Sequence, residues 1–307
     1  MTCDKKIDVL GLGAVTIDFV GTVDSWPEQG TKTLLKSLAI HDGGLVGTAL
    51  AAVAQLGGKA CFAGKLGNSD MAERALEALQ KDGVDTSFVI RDQSSEPVIA
   101  FVLTDCFSGQ RNVFWTRQNV QYPLPTEFPD PGWFDKTAVL MVDYESGRAG
   151  IEAAKIAAAH NIPVVVDAEN NEPHVPELLA VSSHIILSED FAAAFTGKTD
   201  PSQILQALQT SPNQTVIITR GEKGCAGLTS DGIFELPAFK VDVIDTTGCG
   251  DVFHGAYALA VAREHSIPEA ARFASVAAAL CATKLGGRDG IPTKDQLDAF
   301  FLDRMLR

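Results

Sequence analysis

The sequence has no run of about 20 apolar residues, the length needed to span a bilayer, so no membrane span is expected. Its opening stretch, MTCDKKIDVLGLGAVTIDFV, is interrupted by Asp8 and Asp18 and reads as a buried strand, not as a leader. Positive charge is scarce: 25 Lys and Arg face 39 Asp and Glu, a formal net charge of -14. An acidic chain repels polyphosphate backbones, which argues against nucleic acid as a partner. A small anionic substrate would then need a local positive site. The six cysteines (Cys3, Cys61, Cys106, Cys225, Cys249 and Cys281) contain no C-x-x-C pair and do not cluster with histidine. This disfavours a zinc site or a disulfide framework and suits a reducing cytoplasm. No internal repeat occurs, and no G-x-x-x-x-G-K-[ST] phosphate loop. A dinucleotide fingerprint fails too, because Gly11 and Gly13 are followed by Thr16 where a third glycine belongs.

What is present is alternation. Apolar runs at 7–13, 60–64, 138–143, 163–168, 184–188 and 215–221 read as strands buried on both faces. Helical patterns intervene at 47–57, 70–83 and 150–161. Such a chain predicts a mainly parallel sheet with helices on both sides, in one α/β domain spanning 1–307. Two stretches break the pattern, at about 14–41 and 96–117. The second has two strand-like runs around a Ser-Gly turn. They are expected to form a small antiparallel sheet beside the core, a lid. The proline-rich loop 122–134 reads as a connector.

The stretch DTTGCGDVFHGAYALA (245–260) carries the strongest chemical signal. Val252, Phe253, Ala256, Tyr257, Leu259 and Ala260 recur at helical spacing. Ahead of them, Asp and Thr could simply cap a helix. The sharper reading is a helix N-terminus whose small residues Gly248, Cys249 and Gly250 let an anion meet backbone amides. Asp251 would repel that anion, so its position needs another purpose: accepting the proton of an attacking hydroxyl. His254, one turn on, is expected to pack or bond locally. Gly43, Gly44 and Gly47 precede and open a second helix. Asp18 follows the first strand, where ligands meet strand ends in open α/β sheets. TRGEKGCAGL (219–228) reads equally as a hairpin turn or as the border of a nucleotide site.

In order, these features resemble the ribokinase family of carbohydrate kinases, the PfkB kinases. DTTGCGDVFHGA is similar to the family's C-terminal signature, and GG…LGG (43–58) with GKLGNSD (64–70) to its N-terminal one. Some stretches look like its sulfofructose kinase branch and others like its ketohexokinase branch. The resemblance implies a three-layer α/β/α core with a small β-sheet lid. It implies an ATP-dependent sugar kinase, with ATP and Mg2+ required and K+ used by some members. Asp251 would be the base, and the amides of Gly248, Cys249 and Gly250 the anion hole. Asp18, Gly43, Gly44 and Thr48 would face the sugar, with Arg111 of the lid on phosphate. Gly221, Glu222, Lys223 and Gly224 would border ATP. Glu189 is the acidic remnant of the family's N-x-x-E stretch for Mg2+, and Asp245 and Thr247 match a monovalent-cation site. Thr48 stands where the family often has an asparagine. A homodimer through the lid follows by analogy. A nucleoside kinase, with a base slot at Phe114 and Trp115, and a non-catalytic ligand-binding relative are the alternatives.

Overall fold

In the computed structural model the described residues run from 7 to 305, so Cys3 lies outside them. The chain opens with β1 (Ile7–Leu12), β2 (Thr16–Val23) and β3 (Ser37–Gly43), followed by α1 (Leu45–Gln55), β4 (Ala60–Leu66), α2 (Asp70–Lys81) and β5 (Asp85–Arg91). A hairpin of β6 (Val98–Asp105) and β7 (Arg111–Thr116) comes next, then α3 (Trp133–Lys136) and β8 (Thr137–Asp143). The alternation continues through α4 (Gly147–Ala159), β9 (Val164–Asp167), α5 (Val175–Val181), β10 (His184–Ser188), α6 (Glu189–Thr196), α7 (Pro201–Leu208) and β11 (Thr215–Thr219). A second hairpin, β12 (Cys225–Thr229) and β13 (Gly232–Leu236), precedes α8 (Cys249–Ala262), α9 (Ile267–Cys281) and α10 (Lys294–Met305).

The large sheet has the order β13-β12-β11-β10-β9-β8-β1-β4-β5. It is parallel from β11 to β5, and the β12–β13 hairpin is antiparallel. Its strands read as continuous apolar runs because helices cover both faces. Val9, Val139, Val165, Ile186 and Ile217 point to one core with α1, α8 and α9. Their neighbours Leu10, Leu140, Val164, Ile185 and Val216 point to the other core with α4, α5 and α7. The connector is anchored by Trp133, which is 1% exposed and packs edge-on against Phe128 at 5.6 Å.

The two interruptions form a separate four-stranded sheet in the order β3-β2-β6-β7. It is not purely antiparallel: β2 pairs with β6 in parallel, while β3 and β7 run antiparallel to them. β3 extends to Gly43, two residues beyond the expected edge of this segment. Because side chains alternate across a strand, register sorts them into two faces. Asp18 lies opposite His41 and Ala100, and Ala100 opposite Trp115, so these share one face. Phe19 lies opposite Ile40 and Phe101, and Phe101 opposite Phe114, on the other face. Phe19 and Phe101 stack with ring centroids 5.2 Å apart. Trp115 and Phe114 therefore point in opposite directions and cannot line one slot.

Candidate active site

Helix α8 begins at the edge of the sheet's carboxyl ends. Its N-cap is Gly248, with φ 74° and no side-chain cap. A side chain there would be strained by the positive φ and would meet Gly287 Cα at 2.7 Å. The capping role open to Asp245 or Thr247 is not taken. Asp245 instead accepts from the Thr247 amide at 2.9 Å, from the Thr247 hydroxyl at 2.8 Å and from the Gly286 amide at 2.9 Å. Burial alone would raise the Asp245 carboxyl, but these bonds outweigh it and hold the group below its ordinary range.

The Cys249 amide reaches Thr246 O at 3.2 Å, and the Val252 amide closes the turn on Gly248 O at 2.9 Å. The amides of Gly250 and Asp251 have no hydrogen-bond partner among the described residues. Gly250 is exposed, and a methyl at its Cα would meet open space. A helix N-terminus in this state presents donors and a partial positive charge to solvent.

Asp251 sits in this first turn, half-buried. Burial pushes its carboxyl well above the usual range, and the nearby Asp167, Glu169 and Asp143 push it further, while Arg288 opposes them. Asp143 and Asp167 are paired residues at the ends of β8 and β9. Asp143 Oδ2 accepts from the Ala14 amide at 2.6 Å, tying the turn after β1 to β8. His254 anchors the helix: its Nδ1 lies 2.8 Å from Gly250 O and its Nε2 3.0 Å from Ile186 O, with Asp167 Oδ2 at 3.4 Å.

Arg111, exposed at the start of β7, donates through Nη1 to Thr247 Oγ1 at 2.9 Å. The small sheet thus touches the α8 N-terminus. On β2, Asp18 is half-buried, and burial raises its carboxyl. Gly43 lies so close that a Cβ there would meet Asp18 Oδ2 at 2.6 Å. Gly44 is the N-cap of α1. Thr48 is 2% exposed, buried within α1.

Residues Gly221–Lys223 form a single turn joining β11 to β12, with Gly224 closing it. Glu222 is exposed on that turn. Glu189, the first residue of α6, pairs with Arg220 Nε at 2.9 Å and with Lys223 Nζ at 3.5 Å. Among the described residues no group of three or more His, Cys, Asp or Glu side chains is placed to hold a metal. Glu189, the acidic group expected to serve Mg2+, is already paired with Arg220 and Lys223.

Sequence reasoning missed Asp143, Asp167 and Arg288. The two aspartates had a readable signal: each ends a buried apolar strand at the edge where α/β sheets bind ligands. Arg288 had none.

This geometry has known counterparts. The chain is 27% identical over 310 residues to fructokinase-2 of Zea mays, covering 93% of this chain and 91% of that protein. It is 27% identical over 291 residues to the ribokinase of Haemophilus influenzae, covering 93% and 95% respectively. The fold matches Arabidopsis thaliana ribokinase, solved with ribose and ATP, with a TM-score of 0.84 at 24% identity over 95% of this chain and 97% of that one. The model of the pfkB family carbohydrate kinases matches residues 6–294, and with an unpaired helix N-terminus, its aspartate and a small facing sheet in place, this chain belongs to that family.

Proposed function

We propose that this kinase transfers the γ-phosphoryl group of ATP to a hydroxyl of a small sugar, with Asp251 as the base. The observation that carries the reading is the first turn of α8. It has no side-chain cap, two outward amides, and a carboxylate whose proton affinity is raised by its surroundings. Phosphoryl transfer runs through a loose transition state, so catalysis is largely positioning and charge stabilisation. The amides and dipole of α8 are suited to charge developing on the phosphoryl oxygens. As the acceptor oxygen bonds to phosphorus, Asp251 takes its proton and ADP departs. Arg111 adds a positive charge beside the Thr247 end of this site.

Asp18 and Gly43 are assigned to the sugar, on the inner face of the small sheet. Trp115 shares that face and covers the acceptor as an aromatic wall. The same wall favours a nucleoside acceptor, although Phe114 cannot complete a base slot. The Gly221–Gly224 turn is assigned to ATP. Magnesium arrives with the triphosphate, and Glu189 reaches it only by exchanging its pairing with Arg220 and Lys223. Asp245 and the Thr247 backbone are assigned to K+. The small sheet acts as a lid over the sugar, and its outer apolar row, Ile40, Phe19, Phe101 and Phe114, pairs with a second copy. Free thiols at Cys61, Cys106, Cys225, Cys249 and Cys281 suit a reducing cytoplasm. No helix among the described residues is long and apolar enough to cross a membrane.

Incubation with Mg-ATP and a panel of sugars and nucleosides, followed by ADP release, tests the assignment. A sugar should give turnover that rises when choline chloride is replaced by KCl. Turnover with nucleosides alone would transfer the acceptor site to the second reading, and no ADP release with either class would favour a non-catalytic ligand binder.

A further inference from the structure

Arg288 lies in a loop, GGRDGIP (286–292), to which the sequence assigns no role, yet it spans both halves of the site. The loop rests on the α8 N-cap, where Gly287 packs against Gly248. From there the side chain runs inward, with only 11% of it exposed. Nη2 donates to Gly43 O at 2.8 Å, and Nη1 pairs with Asp82 Oδ2 at 3.1 Å at the end of α2. Nη2 also occupies the space of a Gly47 side chain, 2.5 Å from where a Cβ would stand. Nε has no partner among the described residues.

A buried guanidinium with an unsatisfied N–H is expensive to keep, because the donor has given up water without gaining a partner. The molecule places it where its charge falls between the two carboxylates of the site. Asp18, Asp42 and Asp82 surround it, and its field reaches Asp251.

We propose that Arg288 is a positioning residue that locks the acceptor half of the site, Gly43 and Asp18, to the phosphoryl half, the α8 N-terminus with Asp251. This deepens the kinase reading and rests on it. The two halves come from distant segments of the sequence, and one side chain, bonded to Gly43 across 245 residues, holds their separation. The same charge offsets the three acids that crowd Asp251: Asp143 from β8, Asp167 from β9 and Glu169 just beyond it. On the other side Asp18 faces Arg288 and His41, and Asp42 is paired with Arg74. The charge of Arg288 thus acts on both Asp18 and Asp251. Lysine would keep the charge but could not reach Gly43 O and Asp82 together, because only the guanidinium fork has two arms.

The test compares wild type, Arg288→Lys, and Arg288→Met combined with Asp82→Asn, which removes the ion pair without stranding a charge. Each is assayed for acceptor KM, ATP KM and the pH dependence of kcat, with an ADP-induced rise in Tm as a readout of folding apart from turnover. In the double variant the acid limb should move up by about one pH unit. Its acceptor KM should rise about tenfold or more, with ATP KM little changed. Arg288→Lys should leave the acid limb in place and still raise acceptor KM. An unmoved acid limb and acceptor KM in a double variant that responds to ADP would overturn the proposal. If that variant gives no ADP response, Arg288→Lys decides: a raised acceptor KM with a fixed acid limb supports it, and wild-type values for both overturn it. Asp251→Asn assayed in parallel keeps the two ideas apart. Turnover there would mean that the base assignment has failed, while acceptor KM would still test the Gly43 lock.

Discussion

The guanidinium of Arg111 donates to the hydroxyl of Thr247 at 2.9 Å, across 136 residues of sequence. It joins the small sheet to the residue just ahead of the α8 N-cap, in a protein whose net charge is -14. Arg111 is exposed, so removing it should leave Tm unchanged. A hydrogen bond to a charged group contributes about 1.5–3 kcal/mol, so Arg111→Ala should lower kcat/KM about 10- to 100-fold. Steady-state kinetics with the cognate sugar checks this, and wild-type values would make Arg111 a surface residue.

Two glycines two positions apart, Gly248 and Gly250, should behave differently. A Cβ at Gly248 meets Gly287 and demands a strained φ, so Gly248→Ala should lose about 1–2 kcal/mol of stability. A Cβ at Gly250 meets nothing. Gly250→Ala should melt at or above wild type, since alanine favours a helix by about 1 kcal/mol over glycine. Its methyl would stand in front of the outward amides and should lower kcat. Thermal melts beside kinetics separate the two effects, and an active Gly250→Ala enzyme would remove the anion-hole role from this turn.

Cys249 is half-buried at the first position of α8, and its interaction with the neighbouring Cys281 thiol draws its own thiol below the ordinary range. Cys281 is 1% exposed, and the same contact pushes it up. Iodoacetamide should therefore modify Cys249 before Cys281 and inactivate the enzyme, with Mg-ATP protecting. Cys249→Ala should stay active and become resistant. Peptide mapping after partial inactivation identifies the modified thiol, and label confined to Cys106, the exposed thiol, would contradict the prediction.

The two faces of the small sheet should separate by substitution. Phe101 and Phe114, on the outer face, are 50% and 58% exposed. Replacing both with Asp should shift a dimer to monomer in sedimentation while leaving acceptor KM near wild type. Trp115→Ala, on the Asp18 face, should raise acceptor KM without changing the oligomer. An inverse result would mean the faces have been assigned the wrong way round.

Much of the large sheet is legible in the sequence because strands buried on both faces need unbroken apolar runs. The run at 184–188 is β10 to the residue, and the others agree within a few positions. The small sheet is visible only as an interruption. Its parallel β2–β6 pairing joins residues about 80 apart, and nothing local specifies that register. The Asp245–Asp251 stretch is legible as a helix start, but the choice of cap is not. Asp and Thr are good caps in isolation, and here Asp245 is occupied by Thr247 and Gly286. The GGRDGIP stretch carries a family likeness but no role for Arg288, because its partners Gly43 and Asp82 are brought to it by the fold.

Asp251→Asn removes the proposed base while keeping the shape of the side chain. Burial, then Asp167, Glu169 and Asp143, raise its carboxyl in the folded protein. The fold therefore binds a proton that the unfolded chain releases, so ionisation of Asp251 lowers stability above the unfolded value. That stability returns as pH falls through the folded value. Asparagine carries no such charge. The variant should melt at or above wild type near about pH 7.5, with the gap narrowing as pH falls. Its turnover should drop by about 10²–10⁴, the usual range for losing a general base. A folded Asp251→Asn protein that still binds ATP and turns over its sugar at a near-normal kcat would contradict the account and leave Asp251 as part of a helix start alone.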